Sequence, residues 1–565
     1  MTSLRPLRPT FASPAQTTTE PMRAPAPGWP WWLRAPAGLA MAVLLVSPLA
    51  AVRVPFLMDY PNHLARLHVL ATGAAAPALR AMFHVEWAFI PNMAIDLVVP
   101  ALAQVMPLSV AGRLFIALAI LLPPLGVVAL HRAWFRARAG WPWIAVLAAV
   151  NACLVLGFLN YVAGVGLALL GAAWHARARD RADPWPAIAR ASLLGAAWGV
   201  ACLLSHIVAF GLLVLLMLST EAAQLARRPR LRRALPIAAT MLVPLLLYHA
   251  FGPSRNYTSA GALAAAARQI LHDGMLSQPY FRARWLFAAA TGESEATGAV
   301  AVALLALPVA WAAWRQRLAV APQMLLAFVG LAVAYALLPE ALAGNGMVYE
   351  RLSLPLALVG IAGVRPLLAG RQAAALALAV VVLLGVRSAL MWRLGAAQEA
   401  LLGQVERVIA PIPPGARVLA VRDGQNYWDV DADEPAALRI LGRTVDYQHV
   451  PALVTLERDA FWPMLFTIPG KQPLQFRAPY VRDAQTDGLL PLIGQLGPAA
   501  GIPSPQGRCS GLGTALPCQL WSWPARYDFL LRLNAHADPP PLAAHLREVA
   551  RDGWAVLYRV QPAAR

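Results

Sequence analysis

The chain has 565 residues, of which 59% are hydrophobic and only 13% are charged, and its formal net charge is +19. This composition excludes an ordinary soluble globular protein and is typical of a polytopic membrane protein. In a soluble protein such a positive charge would suggest nucleic acid as a partner. Here the arginines cluster in short segments between apolar runs, which indicates membrane topology and no nucleic-acid binding.

The N-terminal segment, residues 1–33, is rich in Pro, Thr, Ala and Arg, and we predict a disordered cytoplasmic tail there. The uncharged run "APAGLAMAVLLVSPLAAV", residues 35–52, is long enough to act as an uncleaved first span. The following stretch "FLMDYPNHLARLHVL", residues 56–70, is therefore predicted on the far side of the membrane, as an amphipathic helix preceded by Asp59.

Five basic segments divide the middle of the chain: 131–140, 175–183, 226–233, 314–317, and the pair Arg365 and Arg371. If all five are cytoplasmic, residues 141–174 and 188–225 form helical hairpins whose outer turns lie near "GFLNYVAG" and "LLSHIVAF". Further spans are then predicted at 234–251, 297–314, 319–338, 353–369 and 372–391. The transmembrane domain covers 34–393 in this scheme, with external loops at 53–92, 252–296 and 339–352.

Residues 93–130 contain two apolar stretches where the charge rule requires a single crossing. Either the first stretch is an interfacial or re-entrant helix, which Asp96 favours, or the segment "HRAWFRARAG" lies outside. With both alternatives open, the sequence predicts about 11–12 spans of ordinary length.

The composition becomes more polar from residue 394, which predicts a soluble periplasmic α/β domain over 394–565. The segment "VERVIAPIPPGARVLAVRDG" predicts a helix, a turn and a strand, and residues 527–560 predict a strand, a loop, an amphipathic helix and a final strand. Cys509 and Cys518 lie in this outer part, where an oxidising compartment favours a disulfide between them. Cys153 and Cys202 lie within apolar spans and are predicted to be packing residues.

Many of the polar residues in and around the membrane fall on one side in this topology. Ionisable groups at membrane depth are functional candidates, because each needs a partner or water in a medium of low dielectric constant. We therefore predict one external, partly embedded polar cavity. Its candidate residues are Asp59, His63, Asn160, Tyr161, His206, Arg255, Tyr257, Tyr349, Glu350 and Arg351.

These residue types fit the transfer of a group from a membrane-bound phosphate to a hydroxyl. Asp59, backed by His63, would accept or orient the proton of an acceptor hydroxyl. Arg351 or Arg255 would hold the phosphate, because a guanidinium stays charged and offers several fixed donors. Glu350, Tyr349, Tyr257, Asn160, Tyr161 and His206 complete the predicted substrate site. No dense carboxylate cluster suggests a metal, and no cofactor is expected.

Each candidate also has a structural interpretation. Asp59 could cap the helix that follows it, and His63 could face lipid head groups. Asn160 and Tyr161 could form a polar hairpin turn, and His206 could be a packed, hydrogen-bonded histidine. Glu350 and Arg351 could form an interfacial salt bridge, and Arg255 and Tyr257 lie within a long loop.

The chain resembles the GT-C superfamily of polyprenyl-phosphate-sugar-dependent glycosyltransferases, which includes protein O-mannosyltransferase-like and aminoarabinose transferase-like enzymes. The matching pieces are "MDYPNHLAR" after the first span, "GFLNYVAGVGLALL", "MVYERLSLPL", and the terminal "YDFLLRL" and "GWAVLYR". Many members of the family carry two adjacent acidic residues in the first external loop, whereas Asp59 is followed here by Tyr60. The resemblance implies catalysis without a bound metal.

The sequence therefore predicts a bacterial inner-membrane glycosyltransferase, surrounded by membrane lipids, that moves a sugar from a polyprenyl-phosphate donor to a periplasmic acceptor. The alternative is a non-enzymatic transporter or cell-envelope assembly protein whose polar residues line a pathway. A scaffold with a degenerate site is a third possibility.

Overall fold

The computed structural model describes residues 31–561 except the following: 56, 180–183, 226–231, 233, 254–267, 269–278, 343–345, 425–438, 441–443, 446, 486–488, 504–515 and 536–544. Most of the predicted N-terminal tail therefore lies outside the described residues, and the first helix already begins at Trp31. That helix starts in a unit that ends at Val43, and the candidate site described below belongs to the second unit, which starts at Leu44.

The helices are numbered here in chain order. The first ten are α1 (Trp31–Val46), α2 (Tyr60–Thr72), α3 (Pro77–Met82), α4 (Ala94–Leu102), α5 (Leu108–Phe135), α6 (Ala152–Val155), α7 (Leu159–Ala178), α8 (Trp185–Ser205), α9 (Ile207–Leu225) and α10 (Ala234–Phe251). The others are α11 (Pro279–Ala288), α12 (Glu295–Trp314), α13 (Pro322–Leu337), α14 (Ser353–Gly363), α15 (Gly370–Ile409), α16 (Leu453–Arg458), α17 (Leu496–Ala500) and α18 (Trp523–Arg526).

Among the described residues, six helices are long and apolar enough to cross a membrane: α5, α7, α8, α10, α12 and α15. Four shorter apolar stretches accompany them, at Gly38–Ala50, Trp141–Val155, Ile207–Ala223 and Pro322–Leu337. These lengths and compositions indicate a polytopic helical membrane protein. The predicted total of about 11–12 spans exceeds these two sets together and stays a prediction.

Three predicted spans agree closely with helices of the structure. The spans predicted at 234–251, 297–314 and 319–338 correspond to α10, α12 and α13. Two predictions differ in form. The first arm of the predicted 141–174 hairpin is an irregular 3-10 stretch, Trp141–Ala148, followed by the single turn α6. The predicted span 353–369 is only the 11-residue α14, followed by a short strand.

Residues 93–130 resolve into one short helix and one long one. Helix α4 has nine residues and is about 14 Å long at 1.5 Å per residue, too short to cross a bilayer. Helix α5 has 28 residues and follows it directly. This geometry agrees with the first of the two alternatives, in which only α5 crosses.

Helix α7 is the most buried of the long helices and packs closely against α5. The close approach depends on glycine: a Cβ on Gly166 would lie 2.5 Å from the backbone carbon of Leu122, and one on Gly126 would lie 2.9 Å from the carbonyl oxygen of Gly166. Small residues at helix crossings allow such contact in membrane proteins. These two glycines therefore allow the close packing of α7 on α5.

The strands are β1 (Phe83–Val85), β2 (Leu318–Val320), β3 (Val364–Pro366), β4 (Val418–Arg422), β5 (Arg439–Ile440), β6 (Thr444–Val445), β7 (Leu474–Phe476), β8 (Phe529–Leu533), β9 (Leu546–Asp552) and β10 (Ala555–Val560). A four-stranded mixed sheet has the order β4-β8-β10-β9, in which β4 and β8 are parallel and the other neighbours antiparallel. The remaining pairs are antiparallel: β1 with β7, β2 with β3, and β5 with β6.

The predicted amphipathic helix before the final strand is wrong where it can be compared. Residues 546–552 form strand β9, which turns through Asp552 and Gly553 into β10. Gly553 has a φ of +53°, and an Asp-Gly pair between two strands is a strong hairpin signal. The strand predicted within "ARVLAVRDG" agrees with β4, and the predicted helix before it agrees with the end of α15.

Residues from the C-terminal part cover α2. Helix α16 and the turn before it, Val450–Ala452, pack on α2, and β7 pairs with β1, in register from Phe83 with Phe476 to Val85 with Leu474. These contacts bring residues 449–472 against the start of α2, where the candidate site lies.

Candidate active site

A cavity of about 120 Å³ brings six of the predicted residues together. It has room for roughly ten water molecules, at about 10–15 Å³ of such volume per water. That is the scale of a small polar head group. The six predicted residues in its wall are Asp59, His63, Asn160, Tyr161, His206 and Arg351. The other lining residues are Asn92, Ile95, Gly157, Phe158, Leu159, Phe466 and Gln472.

Helices α7 and α8 each have one end at the cavity and the other end near a basic segment of the chain. Helix α7 begins at the cavity with Asn160 and Tyr161 and carries Arg177 in its last turn. Helix α8 starts beyond the next basic segment and ends at Ser205, directly before the cavity residue His206.

Asp59 stands at the N-cap position of α2, yet its side chain makes no capping hydrogen bond. The capping interpretation is therefore not supported, and the carboxylate instead lines the cavity. Its backbone is held by the neighbouring loop: the N–H of Met58 donates to the carbonyl of Val155 at 2.9 Å, and the N–H of Asp59 donates to that of Leu156 at 3.3 Å.

Gly157 packs directly against Asp59. Its φ is +88°, a conformation that L side chains rarely adopt, and a Cβ there would lie 2.8 Å from both the Cβ and the backbone nitrogen of Asp59. The glycine at the start of "GFLNYVAG" is thus required twice, once for the turn and once for the close approach.

His449 is a site residue that the sequence did not reveal. Its Nε2 atom lies 3.3 Å from Oδ1 of Asp59, and its Nδ1 atom lies 3.0 Å from the side-chain nitrogen of Asn62. It is a lone histidine in polar sequence, and no spacing links it to α2. Only the folding of the C-terminal part over α2 brings the two together.

His63 lines the cavity beside Asp59, as predicted, but in its neutral form. Burial lowers its pKa well below the usual histidine value, and the positive charge of Arg66 acts in the same direction. The ring meets Phe466 edge to face at 5.2 Å. A neutral imidazole can shape the cavity and exchange hydrogen bonds there, but it adds no positive charge.

Behind His63, Arg66 forms a buried bidentate ion pair with Asp96, with Nε–Oδ1 and Nη2–Oδ2 distances of 2.7 and 3.1 Å. Both side chains are almost completely inaccessible. The pair joins α2 to α4, and it explains why Asp96 is compatible with an apolar helix. Its role is structural, since neither residue lines the cavity.

Arg351 contributes a guanidinium to the cavity wall. Its plane lies over the ring of Phe158, with the carbon at 4.4 Å from the ring centroid, and Nη1 donates to the carbonyl of Gly346 at 2.7 Å. Its Nε atom is buried and has no hydrogen-bond partner among the described residues. Burial lowers the pKa of Arg351, and its side chain lines the same cavity as that of Asp59.

Asn160 and His206 line the cavity and also form hydrogen bonds with the backbone. The Asn160 amide accepts from the N–H of Ile95 at 2.8 Å and donates to the carbonyl of Asn92 at 2.7 Å, which fixes the start of α4. His206 Nδ1 accepts from the N–H of Val208 at 3.1 Å, and burial lowers its pKa to about 3. The hydroxyl of Tyr161 donates to the backbone carbonyl of Arg351.

Tyr349 and Glu350 are predicted site residues that do not line the cavity. They belong to an adjacent cluster in which the Arg282 guanidinium lies 4.0 Å from the centroid of the Tyr349 ring. Tyr335 donates its hydroxyl to the carbonyl of Arg282 at 2.6 Å. Burial raises the pKa of Glu350 to about 7. The two residues therefore belong to this adjacent cluster and not to the cavity surface.

The remaining predicted residues fall partly outside the described structure. Arg255, Tyr257 and Cys509 lie outside the described residues. Cys518 is in a disulfide bond, and Cys153 and Cys202 are free and buried. The described residues contain no group of three or more His, Cys, Asp or Glu side chains that could hold a metal ion.

Comparisons with known proteins give a weak structural similarity. No family model matches the chain, and no curated protein matches it. Two crystal structures of ArnT from Cupriavidus metallidurans, one bound to undecaprenyl phosphate and one in the apo state, are similar to it. Their TM-scores are 0.44 and 0.43 at 14% sequence identity, with 93% of this chain and 97% of each ArnT chain covered. At this level of similarity the comparison does not establish a family for this chain.

Proposed function

We propose that this protein is a membrane glycosyltransferase that transfers a sugar from a polyprenyl-phosphate donor to a hydroxyl acceptor at the periplasmic face. The proposal is carried by one observation: the carboxylate of Asp59 and the guanidinium of Arg351 share one cavity. An acceptor hydroxyl needs a base, and a leaving phosphate needs a cation, and the two groups supply these functions.

In the proposed reaction the acceptor oxygen attacks the anomeric carbon of the sugar and its proton moves to Asp59. The bond between the anomeric carbon and the phosphate oxygen breaks, and its electron pair leaves with the polyprenyl phosphate. Arg351 stabilises the charge of that phosphate, and its unpartnered Nε atom is available as a donor. A direct displacement of this kind inverts the anomeric configuration.

The position of the cavity supports the periplasmic side. The cavity lies at the helix ends opposite Arg177 and the other basic segments, and basic loops favour the cytoplasm. A donor with a polyprenyl chain also fits a cavity at the ends of membrane helices, because its tail stays in the bilayer. On the same grounds we propose that residues 394–565, with the predicted Cys509–Cys518 disulfide, lie in the periplasm.

The proposal is tested in proteoliposomes that contain a radiolabelled polyprenyl-phosphate sugar and extracted envelope lipids as acceptors. Release of polyprenyl phosphate and transfer of label are both measured. We expect transfer by the wild type and a loss of about 10²–10⁴-fold for Asp59→Asn, the usual contribution of a general base. Asp459→Asn is the matched control, because Asp459 pairs with His68 on α2 at 2.9 Å but does not line the cavity. Full transfer by Asp59→Asn would refute the assignment of the base.

A transporter is the second candidate, and one observation favours it. The segment Trp141–Val155, which leads into the cavity turn at Gly157, is an interrupted helix, as in many secondary transporters. The same proteoliposomes decide between the two functions. Movement of labelled donor between leaflets without release of polyprenyl phosphate would favour transport.

A further inference from the structure

The hydrogen bonds around Asn62 fix the orientation of its amide group. The backbone N–H of Phe466 donates to Oδ1 of Asn62 at 2.8 Å, so this atom must be the oxygen. The amide nitrogen on the other side donates to the carbonyl of Met464 at 2.9 Å. Because Asn62 is completely buried, its amide has no alternative orientation that keeps both bonds.

This orientation sets the tautomer of His449. The amide nitrogen of Asn62 lies 3.0 Å from Nδ1 of His449 and can only donate, so Nδ1 must accept and carry no proton. In the neutral ring the proton is therefore on Nε2, which faces Oδ1 of Asp59 at 3.3 Å. The ring plane is held by Phe466 and Trp462, whose centroids lie 4.9 and 6.4 Å from that of His449.

We propose that His449 is a positioning residue for Asp59, and that Asn62 sets its tautomer so that Nε2–H holds one carboxylate oxygen. With Oδ1 bound in this way, Oδ2 is presented to the acceptor hydroxyl. This inference rests on the proposed function for its consequence in catalysis, but the tautomer itself does not depend on it. It assigns to the C-terminal part of the chain a direct role in the membrane-level site.

The first test separates a hydrogen-bonding role from a packing role. His449→Phe keeps a ring between Phe466 and Trp462 but removes the donor, and we expect kcat to fall about 10–100-fold with the KM for the donor within about twofold. His449→Gln places an amide donor near the position of Nε2, and we expect it to recover kcat to within about fivefold of the wild type. His68→Gln is the control on α2, the helix that carries Asn62, and should retain wild-type kcat because His68 pairs with Asp459 and does not line the cavity.

Equal kcat values for the wild type and His449→Phe would overturn the proposal. So would equal losses in the Phe and Gln variants that parallel a loss of thermal stability, because that pattern indicates packing alone.

The second test does not need activity. In protein labelled with 15N-histidine, the His449 signals are assigned by their absence in His449→Gln. A protonated Nε2 with an unprotonated Nδ1 at pH 7 supports the proposal even if no sugar transfer is found, in which case only the proposed function fails. A protonated Nδ1 would overturn the inference, whatever the transfer assay shows.

Discussion

Arg351 combines features that are costly to build into a protein. Its guanidinium lies over the ring of Phe158 and donates to Gly346, while its buried Nε atom has no partner among the described residues. A buried polar group without a partner costs about 1–3 kcal/mol, and more if it is charged. Such a group is explained most simply by a ligand that completes its hydrogen bonds.

We therefore expect Arg351→Lys to weaken donor binding about 10–100-fold, although the positive charge is kept. Lysine offers a single ammonium and cannot stack on Phe158 while binding Gly346 and a phosphate. Isothermal titration with a polyprenyl-phosphate analogue measures the change. Arg407→Lys, at an exposed position on α15, is the control and should bind normally. Unchanged affinity in Arg351→Lys would remove the phosphate role.

Glu350 gives a prediction about pH and stability. Its pKa is raised from 4.5 to about 7, first because of burial, so the folded protein holds a proton there that the unfolded chain releases. Wild-type stability should thus fall as pH rises from about 4.5 to about 7 and then stay level. Glu350→Gln has no such titrating group. Its free energy of unfolding, relative to that of the wild type, should therefore rise by about 1–3 kcal/mol as the pH increases over that interval.

Thermal unfolding in detergent at pH 5 and pH 8 measures this difference between the Gln variant and the wild type. Glu548→Gln is the control: the hydrogen bond from Arg551 lowers the pKa of Glu548, so this carboxyl is ionised in the folded and the unfolded chain across most of that interval, and its variant should differ from the wild type almost equally at both pH values. A difference between Glu350→Gln and the wild type that is the same at both pH values would contradict the assignment.

At the level of single residues, the sequence predicts the cavity residues that lie next to apolar helices. Asp59, Asn160, His206 and Arg351 stand at or near the ends of such helices, where a polar group must meet water or another polar group. His449 could not be predicted in this way. It lies 387 positions from Asn62 in sequence where polar residues are ordinary, so nothing local distinguishes it.

Among the secondary-structure elements, the turn at Gly157 has the clearest consequence for function. Gly157→Ala would place a methyl group 2.8 Å from two atoms of Asp59 and strain a backbone with positive φ, at a cost of about 1–3 kcal/mol. We expect the fold to survive and sugar transfer to fall at least about tenfold, because small displacements of a base are costly.

The transfer assay and a donor-binding measurement check this prediction together. Donor affinity should stay close to the wild-type value, since Arg351 is not the residue displaced. Gly140→Ala is the control, because nothing lies within 4 Å of the added Cβ there. Loss of donor binding without loss of turnover in Gly157→Ala would contradict this account of the turn.

The elements also show where sequence patterns were insufficient. Long apolar helices such as α10 were predicted closely because length and charge define them. The sequence "LREVARD" of strand β9 predicts an amphipathic helix, because its apolar residues fit helical spacing as well as a partial alternation. Its Asp-Gly turn and its pairing with β10 decide for the strand, and the sheet that holds this hairpin is completed by β8 and by β4, which is distant in sequence.

For the molecule as a whole, α15 connects the membrane helices with the C-terminal part. It has 40 residues, which corresponds to about 60 Å and is twice the thickness of a bilayer core. Its second half therefore extends beyond the membrane. There Glu399 accepts from the N–H of Arg53, and Glu406 pairs with the Arg53 side chain, which ties α15 to the segment that leads into Asp59.

The orientation in the membrane is tested by single cysteines in a background whose free cysteines, Cys153 and Cys202, are buried. Trp87→Cys and Trp314→Cys introduce thiols at positions where the side chains are 56% and 76% exposed. A membrane-impermeant maleimide should label Trp87→Cys in right-side-out vesicles and Trp314→Cys only in inverted ones. The reverse pattern would place the cavity on the cytoplasmic side.

The most direct measurement of the central claim is a cryo-electron microscopy map of the protein saturated with a polyprenyl-phosphate donor analogue. The account predicts phosphate density within hydrogen-bonding distance of the Arg351 guanidinium, with the sugar between it and Asp59. Phosphate density at another place, or an analogue bound with the cavity between Asp59 and Arg351 empty, would contradict it.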